Sequence, residues 1–197
     1  MSFLILVRHG QSIWNLEKRF TGWVDVDLTE QGKAEAEKAG VLIKEKNIKI
    51  NFYYSSLQLR ANNTLKIIQK VLNDNKNFIK AWQLNERHYG ALTGLNKIEM
   101  RNKIGETKIK EFRRSWDIKP EALKKDSPFH PINIKTYEQI PKELIPDTES
   151  LKDTYERVVN FFRNEIKEKL KTNNILVSAH GNSIRALCKN LFNIDNK

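Results

Sequence analysis

Two short apolar segments, far apart in the sequence, both end in a histidine followed by a glycine. Residues 4–10 read LILVRHG, and residues 175–181 read ILVSAHG. Each apolar run is too short for a helix and is typical of a buried strand. If both are parallel strands of one sheet, their carboxyl ends lie at the same edge, where α/β proteins bind ligands. We therefore expect His9 and His180 to form two halves of one site.

The rest of the chain alternates between strand and helix patterns. Further strands are predicted at 52–56 and, as a short one, at 79–84. Helices are predicted from a cap at Thr29 to about residue 46, and at about 58–72, 95–104, 106–115, 148–170 and 182–192. This alternation predicts an α/β fold with three layers, in which a mostly parallel central sheet has helices on both faces. We expect one domain over 1–197, with a proline-containing loop or insertion at about 116–146.

The chain is basic, with a formal net charge of +11. This charge fits a solvated lysine-rich surface, a nucleic-acid-binding face or a pocket for anionic substrates. No basic stripe with interleaved aromatic residues stands out, so we expect no nucleic-acid partner. No signal peptide and no apolar run near the ~20 residues of a membrane span is found, which predicts a cytoplasmic protein without a membrane partner. Cys188 is the one cysteine, so no internal disulfide is possible.

The turn after the first strand has the composition of a phosphate site. Gly10 allows close approach of the backbone, free N–H groups favour an anion, and the guanidinium of Arg8 can bind phosphate by two hydrogen bonds. Nearby positive charge disfavours imidazolium, so His9 is expected to be neutral and nucleophilic. Such a histidine can carry a phosphoryl group covalently. His180, Arg8 and Arg60 could then stabilise the charge of the transferring group.

Two other interpretations of these residues remain open at this point. Either histidine alone is more often a satisfied residue at a strand end than a catalytic group. His9, His180 and Glu86 could also form a metal site of two histidines and one carboxylate. Arg8 and Arg60 argue against a dication there, and no HExxH spacing is present, so we expect no metal.

The motifs together resemble one known family. The segments LVRHGQS and AHG are typical of the histidine phosphatase superfamily. The longer segments RHGQSIWN, RFTGWVDVDLTEQG, LNERHYGALTGLNK, FRRSW, TESL and SAHGNSIRAL resemble the cofactor-dependent phosphoglycerate mutases within it, in the same order. The likeness runs from residue 3 to about 192.

The resemblance implies a role for each matching residue. His9 would be phosphorylated by 2,3-bisphosphoglycerate as primer, Glu86 would exchange a proton with the substrate hydroxyl, and His180 would stabilise the transition state. Arg8 and Arg60 would hold the phosphoryl group. The remaining implied substrate-binding residues are Gly10, Gln11, Ser12, Asn15, Thr21, Gly22, Arg87, His88, Tyr89, Lys97, Arg113, Arg114, Gly181 and Asn182.

The implied activity is the interconversion of 3-phosphoglycerate and 2-phosphoglycerate in glycolysis and gluconeogenesis, without a metal, by a homodimer or homotetramer. A histidine-phosphatase-type hydrolase of a small phosphorylated metabolite is the alternative, and a basic nucleic-acid-binding domain is a remote one. Family members continue into a further strand and a mobile tail beyond the last predicted helix. Without them we expect an unpaired sheet edge and easier access of water to a phosphohistidine.

Overall fold

The computed structural model describes residues 2–195, and all statements on the fold refer to them. The strands are β1 (Leu4–Arg8), β2 (Phe52–Ser55), β3 (Ile79–Lys80) and β4 (Ile175–Ala179). The α-helices are α1 (Ile13–Leu16), α2 (Glu30–Glu45), α3 (Leu59–Leu72), α4 (Lys97–Ile104), α5 (Glu106–Arg114), α6 (Leu151–Phe161), α7 (Lys167–Leu170) and α8 (Gly181–Leu191). A π-helical turn at Phe162–Ile166 joins α6 to α7.

The sheet has the strand order β1-β4-β2-β3, and each described pair of neighbours is parallel. Val177 of β4 lies between Leu6 of β1 and Tyr54 of β2. The two segments that end in His-Gly are therefore adjacent strands. This arrangement confirms the predicted mostly parallel sheet.

Helices cover both faces of the sheet. Tyr53 and Leu176 point to one face, where they pack against α3 and α2. Tyr54 and Val177, the next residue along each strand, point to the other face and pack against α6 and α8. This alternation follows from the two-residue period of a strand, and buried residues on both faces are typical of a parallel sheet. The predicted three layers are present.

The predicted strand at 79–84 is shorter than expected. Only Ile79–Lys80 pairs with β2, and a 3₁₀ turn at Trp82–Leu84 follows. The chain leaves the sheet there because Ala81 and Leu84 are buried in the core beneath α6 and α8. Burial of these two apolar side chains therefore overrides continued strand pairing.

The predicted loop at 116–146 contains three 3₁₀ turns and, as described, no α-helix or strand. It nevertheless belongs to the packed interior, because Tyr137 and Ile140 lie against Trp23 in a buried cluster. The Tyr137 hydroxyl also donates a hydrogen bond to the Trp23 carbonyl. Among residues 2–195, no helix is long and apolar enough to span a membrane.

Candidate active site

His9 and His180 meet at the carboxyl edge of the sheet. His9 directly follows β1, and His180 directly follows β4. Their ring centroids are 5.0 Å apart, and the ring planes are inclined by 58°. Both side chains are buried. The predicted proximity of the two histidines is confirmed.

The hydrogen bonding of His9 defines its tautomer. Nδ1 lies 2.7 Å from the carbonyl oxygen of Gly10, which can only accept, so Nδ1 donates. Nε2 then keeps its lone pair. Burial, followed by the positive charge of Arg60, holds the pKa of His9 well below its usual value. The result is a neutral imidazole with Nε2 available as a nucleophile.

The ring of His180 is held by Ser56, which directly follows β2. Nε2 of His180 lies 2.8 Å from Oγ of Ser56, and the same oxygen accepts a hydrogen bond from the backbone N–H of Gln58. The Ser56 hydroxyl can then donate to Nε2, and in that tautomer the ring hydrogen of His180 is on Nδ1. Nδ1 is buried without a partner among the described residues. Burial, then the charge of Arg60, lowers the pKa of His180.

Arg60 is held rigidly beside both histidines. Its Nη1 donates to the Val24 carbonyl and its Nη2 to the Gly22 carbonyl, each at 2.9 Å. These bonds orient the guanidinium plane and leave further N–H groups for a bound anion. Burial lowers the pKa of Arg60, although an arginine keeps its charge at neutral pH. Arg8, the last residue of β1, supplies a second guanidinium.

A cavity of about 340 Å³ opens at this edge of the sheet. Thirteen of the predicted site residues line it: Arg8, His9, Asn15, Thr21, Gly22, Arg60, Glu86, Tyr89, Lys97, Arg113, Arg114, Gly181 and Asn182. They come from segments that are distant in the sequence. The lining holds six cationic side chains, with Arg185 included, and a single carboxylate. Such a cavity favours a small ligand with several negative charges.

Three predicted residues of the first turn lie outside the lining. The N–H of Gly10 donates to Thr64 Oγ1 at 3.1 Å, and a Cβ at Gly10 would lie 2.1 Å from the Gly32 carbonyl oxygen. Gly10 therefore allows close approach of α2, and its N–H is already bonded within the protein. Gln11 accepts a hydrogen bond from a threonine hydroxyl at the start of α2. Ser12 is the N-cap of α1.

Arg87, His88 and His180 also lie outside the lining, and Arg87 and His88 directly follow Glu86 in the chain. Nη2 of Arg87 donates to the Phe112 carbonyl at 2.5 Å, and its guanidinium stacks over the Tyr89 ring at 4.8 Å. Nδ1 of His88 accepts a hydrogen bond from the Gly90 N–H at 3.0 Å. Burial, then the charge of a neighbouring histidine, lowers the pKa of His88 to about 3. His88 is therefore a neutral, buried part of this turn.

Glu86 presents its carboxylate to the cavity with its two oxygens in different environments. Oε1 accepts hydrogen bonds from the Arg87 N–H at 2.8 Å, from the Asn182 N–H at 3.3 Å and from the Asn182 amide at 2.8 Å. Oε2 accepts none from the described residues, and it is 3.9 Å from the position of a Cβ at Gly181. Oε1 therefore orients the group, and Oε2 is free to exchange a proton.

Of two further cationic side chains that line the cavity, the sequence predicted one and missed the other. Lys97 was predicted, and burial, followed by the charge of Arg113, lowers its pKa to about 8. Arg185 was missed. Its Nη1 donates to Asn182 Oδ1 at 3.0 Å, and burial, then the charge of Arg114, lowers its pKa. The signal was its position one helical turn after Gly181, which places it on the helix face above the His-Gly turn.

Within residues 2–195, no three histidine, cysteine, aspartate or glutamate residues are arranged to hold a metal ion.

Comparison of the sequence with known protein families identifies the superfamily of this chain. The model of the histidine phosphatase superfamily (branch 1) matches residues 4–130 and 121–197. The chain therefore belongs to the histidine phosphatase superfamily.

Its relatives narrow this assignment. The 2,3-bisphosphoglycerate-dependent phosphoglycerate mutase of Pelagibacter ubique (strain HTCC1062) is 69% identical over 100% of this chain and 83% of that protein. The 2,3-bisphosphoglycerate-dependent phosphoglycerate mutase of Borreliella burgdorferi (strain ZS7) is 48% identical over 97% of this chain and 78% of that protein. Within the superfamily, the chain is a member of the 2,3-bisphosphoglycerate-dependent phosphoglycerate mutase family.

Solved structures share the fold. The mycobacterial glucosyl-3-phosphoglycerate phosphatase aligns with a TM-score of 0.72 at 20% identity, over 98% of this chain and 83% of that chain. YhfR of Bacillus stearothermophilus aligns with a TM-score of 0.71 at 21% identity, over 100% of this chain and 82% of that chain. At these identities, the likeness concerns the fold alone.

Proposed function

We propose that this chain interconverts 3-phosphoglycerate and 2-phosphoglycerate through a phosphohistidine at His9, primed by 2,3-bisphosphoglycerate. The observation that carries the proposal is a neutral His9, with Nε2 free, beside a cavity that holds six cations and one carboxylate. A phosphoglycerate has a phosphate and a carboxylate at its two ends, so it needs cations on more than one side. Arg8 and Arg60 adjoin the histidines, and Lys97, Arg113 and Arg114 supply a second group.

The first transfer moves the phosphoryl group from His9 to the substrate. The 2-hydroxyl oxygen of 3-phosphoglycerate attacks phosphorus, the P–Nε2 bond breaks, and Oε2 of Glu86 takes the hydroxyl proton. The electron pair returns to Nε2, so His9 is again a neutral imidazole. Nδ1 of His180 and the guanidinium of Arg60 donate to the equatorial oxygens as charge spreads over them.

The second transfer returns a different phosphoryl group. After the bound bisphosphate reorients, Nε2 of His9 attacks the phosphorus on O3, and the P–O3 bond breaks. Glu86 gives its proton to O3, which leaves as a hydroxyl, and 2-phosphoglycerate is released. Protons and phosphoryl groups balance over the cycle, and His9 ends phosphorylated.

The residues present fit the bisphosphate as a primer. It carries three anionic groups. In priming, Glu86 first takes a proton from solvent; Nε2 of His9 then attacks a phosphorus of the bisphosphate, the P–O bond breaks, and the leaving oxygen receives the Glu86 proton. In the tautomer with its ring hydrogen on Nδ1, buried His180 has a donor without a partner, which supports the presence of an anion there, because such a donor is costly.

Two measurements test the proposal. Formation of 2-phosphoglycerate from 3-phosphoglycerate, coupled to enolase, should be stimulated by 2,3-bisphosphoglycerate. Release of inorganic phosphate without isomerisation would instead favour a hydrolase of the same superfamily. After mixing with the bisphosphate, mass spectrometry should locate acid-labile phosphate on His9. His9→Asn should lose it, and His88→Asn, which changes a histidine outside the cavity, should keep it. Phosphate on another residue would refute the assignment.

We also propose a cytoplasmic enzyme of glycolysis and gluconeogenesis that acts as a homodimer or homotetramer, with residues 1–197 in one domain. The resemblance to the family supports these points. Light scattering with size-exclusion chromatography tests the oligomeric state.

A further inference from the structure

The segment that carries Glu86 depends on another part of the chain for its backbone hydrogen bonds. It lies between a 3₁₀ turn ending at Leu84 and another beginning at Gly90, so the carbonyl groups of Asn85 and Glu86 are not bonded within a helix or strand. Arg157 of α6 donates to the carbonyl oxygens of Gln83 at 2.6 Å, Asn85 at 2.9 Å and Glu86 at 3.0 Å. One guanidinium thus binds two carbonyls of this segment and one of the turn before it.

Arg157 is itself held by a buried carboxylate. Its Nε and Nη2 donate to the two oxygens of Glu149 at 2.6 and 2.9 Å, and the exposed fractions of the two side chains are 8% and 4%. Glu149 also accepts a hydrogen bond from the His88 N–H at 2.8 Å and donates its own N–H to the His88 carbonyl at 3.1 Å. The pair therefore holds the backbone on both sides of residue 87.

The remaining backbone group of Glu86 is fixed from another direction. Its N–H donates to Oε1 of Gln58 at 2.9 Å. With Asn182 on the side-chain oxygen Oε1, the peptide and the carboxylate of Glu86 are restrained from three elements. Arg157 supplies the restraint on the carbonyl side.

We propose that Arg157 and Glu149 are positioning residues for proton transfer by Glu86, which act by holding the peptide backbone and do not touch the substrate. This inference rests on the proposed function, because it takes Glu86 as the group that exchanges a proton. A bidentate guanidinium suits the task, since a lysine ammonium cannot reach three carbonyls and two carboxylate oxygens in one plane. A displacement of about 1 Å in a catalytic group can lower a rate about a hundredfold.

The rate of His9 phosphorylation with two different leaving groups distinguishes a role in positioning Glu86 from a role in stabilising the whole site. When 2,3-bisphosphoglycerate phosphorylates His9, the alkoxide oxygen leaves only as it receives the proton of Glu86. When p-nitrophenyl phosphate phosphorylates His9, the P–O bond breaks and p-nitrophenolate leaves without a proton. A misplaced Glu86 therefore slows the first reaction and spares the second, whereas a damaged His9 site slows both.

The experiment measures the single-turnover rate of His9 phosphorylation with each of these two donors. Arg157→Lys should lower the rate with 2,3-bisphosphoglycerate roughly tenfold to a hundredfold and change the rate with p-nitrophenyl phosphate less than about twofold. Arg163→Lys is the matched control, because Arg163 is exposed and bonds only to Asn190 among the described residues. It should leave both rates unchanged.

Further variants keep the test decisive. Glu149→Gln keeps one acceptor oxygen for Arg157 but removes the negative charge that pairs with it, so it weakens the hold on Arg157 and should show the same selective loss. It takes the place of Arg157→Lys if that variant does not fold. Equal losses with both donors would overturn the inference. Glu86→Gln must itself lose activity selectively with 2,3-bisphosphoglycerate; if it does not, the proposed role of Glu86 fails, independently of Arg157.

Discussion

The imidazole rings of His9 and His180 lie 5.0 Å apart, at the ends of two strands that pair directly in the sheet. Arg60 is close enough to lower the pKa of both histidines. Two imidazoles can share this cationic, buried place only because both stay neutral. Because His9 is neutral, its Nε2 is also nucleophilic. The burial and positive charge that keep both histidines neutral therefore also support the proposed chemistry.

Neutral buried histidines predict a loss of stability in mild acid. The pKa values of His9, His180 and His88 are lowered in the folded chain, so below about pH 6.5 the unfolded chain binds protons that the folded chain does not. The free energy of unfolding should therefore fall between pH 6.5 and 5, by up to about 1.4 kcal/mol per pH unit for each of these histidines. Urea unfolding at several pH values measures this. His88→Asn should reduce the slope by one histidine's share, and a flat profile over this range would contradict the prediction.

Ser56 should matter for catalysis through His180. Ser56→Ala removes the hydroxyl that lies 2.8 Å from Nε2 and frees the ring to change tautomer. A lost hydrogen bond of about 1 kcal/mol corresponds to a roughly fivefold lower kcat. Ser55→Ala is the matched control, because the Ser55 hydroxyl is equally buried but has no hydrogen-bond partner among the described residues. Equal effects of the two substitutions on kcat would exclude this role.

Lys97 should give substrate binding a pH dependence in the alkaline range. Because burial and Arg113 lower its pKa to about 8, the free enzyme loses this positive charge as the pH rises through about 8. We expect kcat/KM for phosphoglycerate to fall above that pH. Lys97→Arg keeps the charge and should remove the decline, whereas Lys108→Arg, an exposed lysine on α5, should not. A profile that Lys97→Arg leaves unaltered would count against the prediction.

Gly10 should tolerate no side chain, for a reason of packing. A Cβ there would lie 2.1 Å from the Gly32 carbonyl oxygen, and two backbones cannot move apart as a flexible side chain can. Gly10→Ala should lower the free energy of unfolding by at least about 2 kcal/mol, measured by urea denaturation. At Gly181 the nearest contacts of a Cβ would be ordinary, at 3.8 and 3.9 Å. Gly181→Ala should therefore keep wild-type stability; if both variants are equally stable, the packing argument fails.

Much of the fold and of the site was predictable from local patterns. The apolar runs, the cap at Thr29 and the His-Gly turns correctly indicated a parallel sheet with layers of helices and two neighbouring histidines. The strand at 79–84 was predicted too long. Ala81 and Leu84 are buried against helices from the other end of the chain, and the residues of the segment itself do not indicate this contact. Thirteen predicted residues line the cavity, and Arg185 lines it unpredicted.

The sequence by itself determined which segments become strands and helices and which residue types stand at the strand ends, because hydrophobic periodicity and capping act over a few residues. Only the tertiary structure showed that Gly10 lies against the backbone of α2. It alone showed that Nδ1 of His9 donates, and that Arg157 with Glu149 holds the segment of Glu86. These relationships arise from contacts between groups that are distant in the chain, and distances and hydrogen-bond directions exist only once the layers have packed.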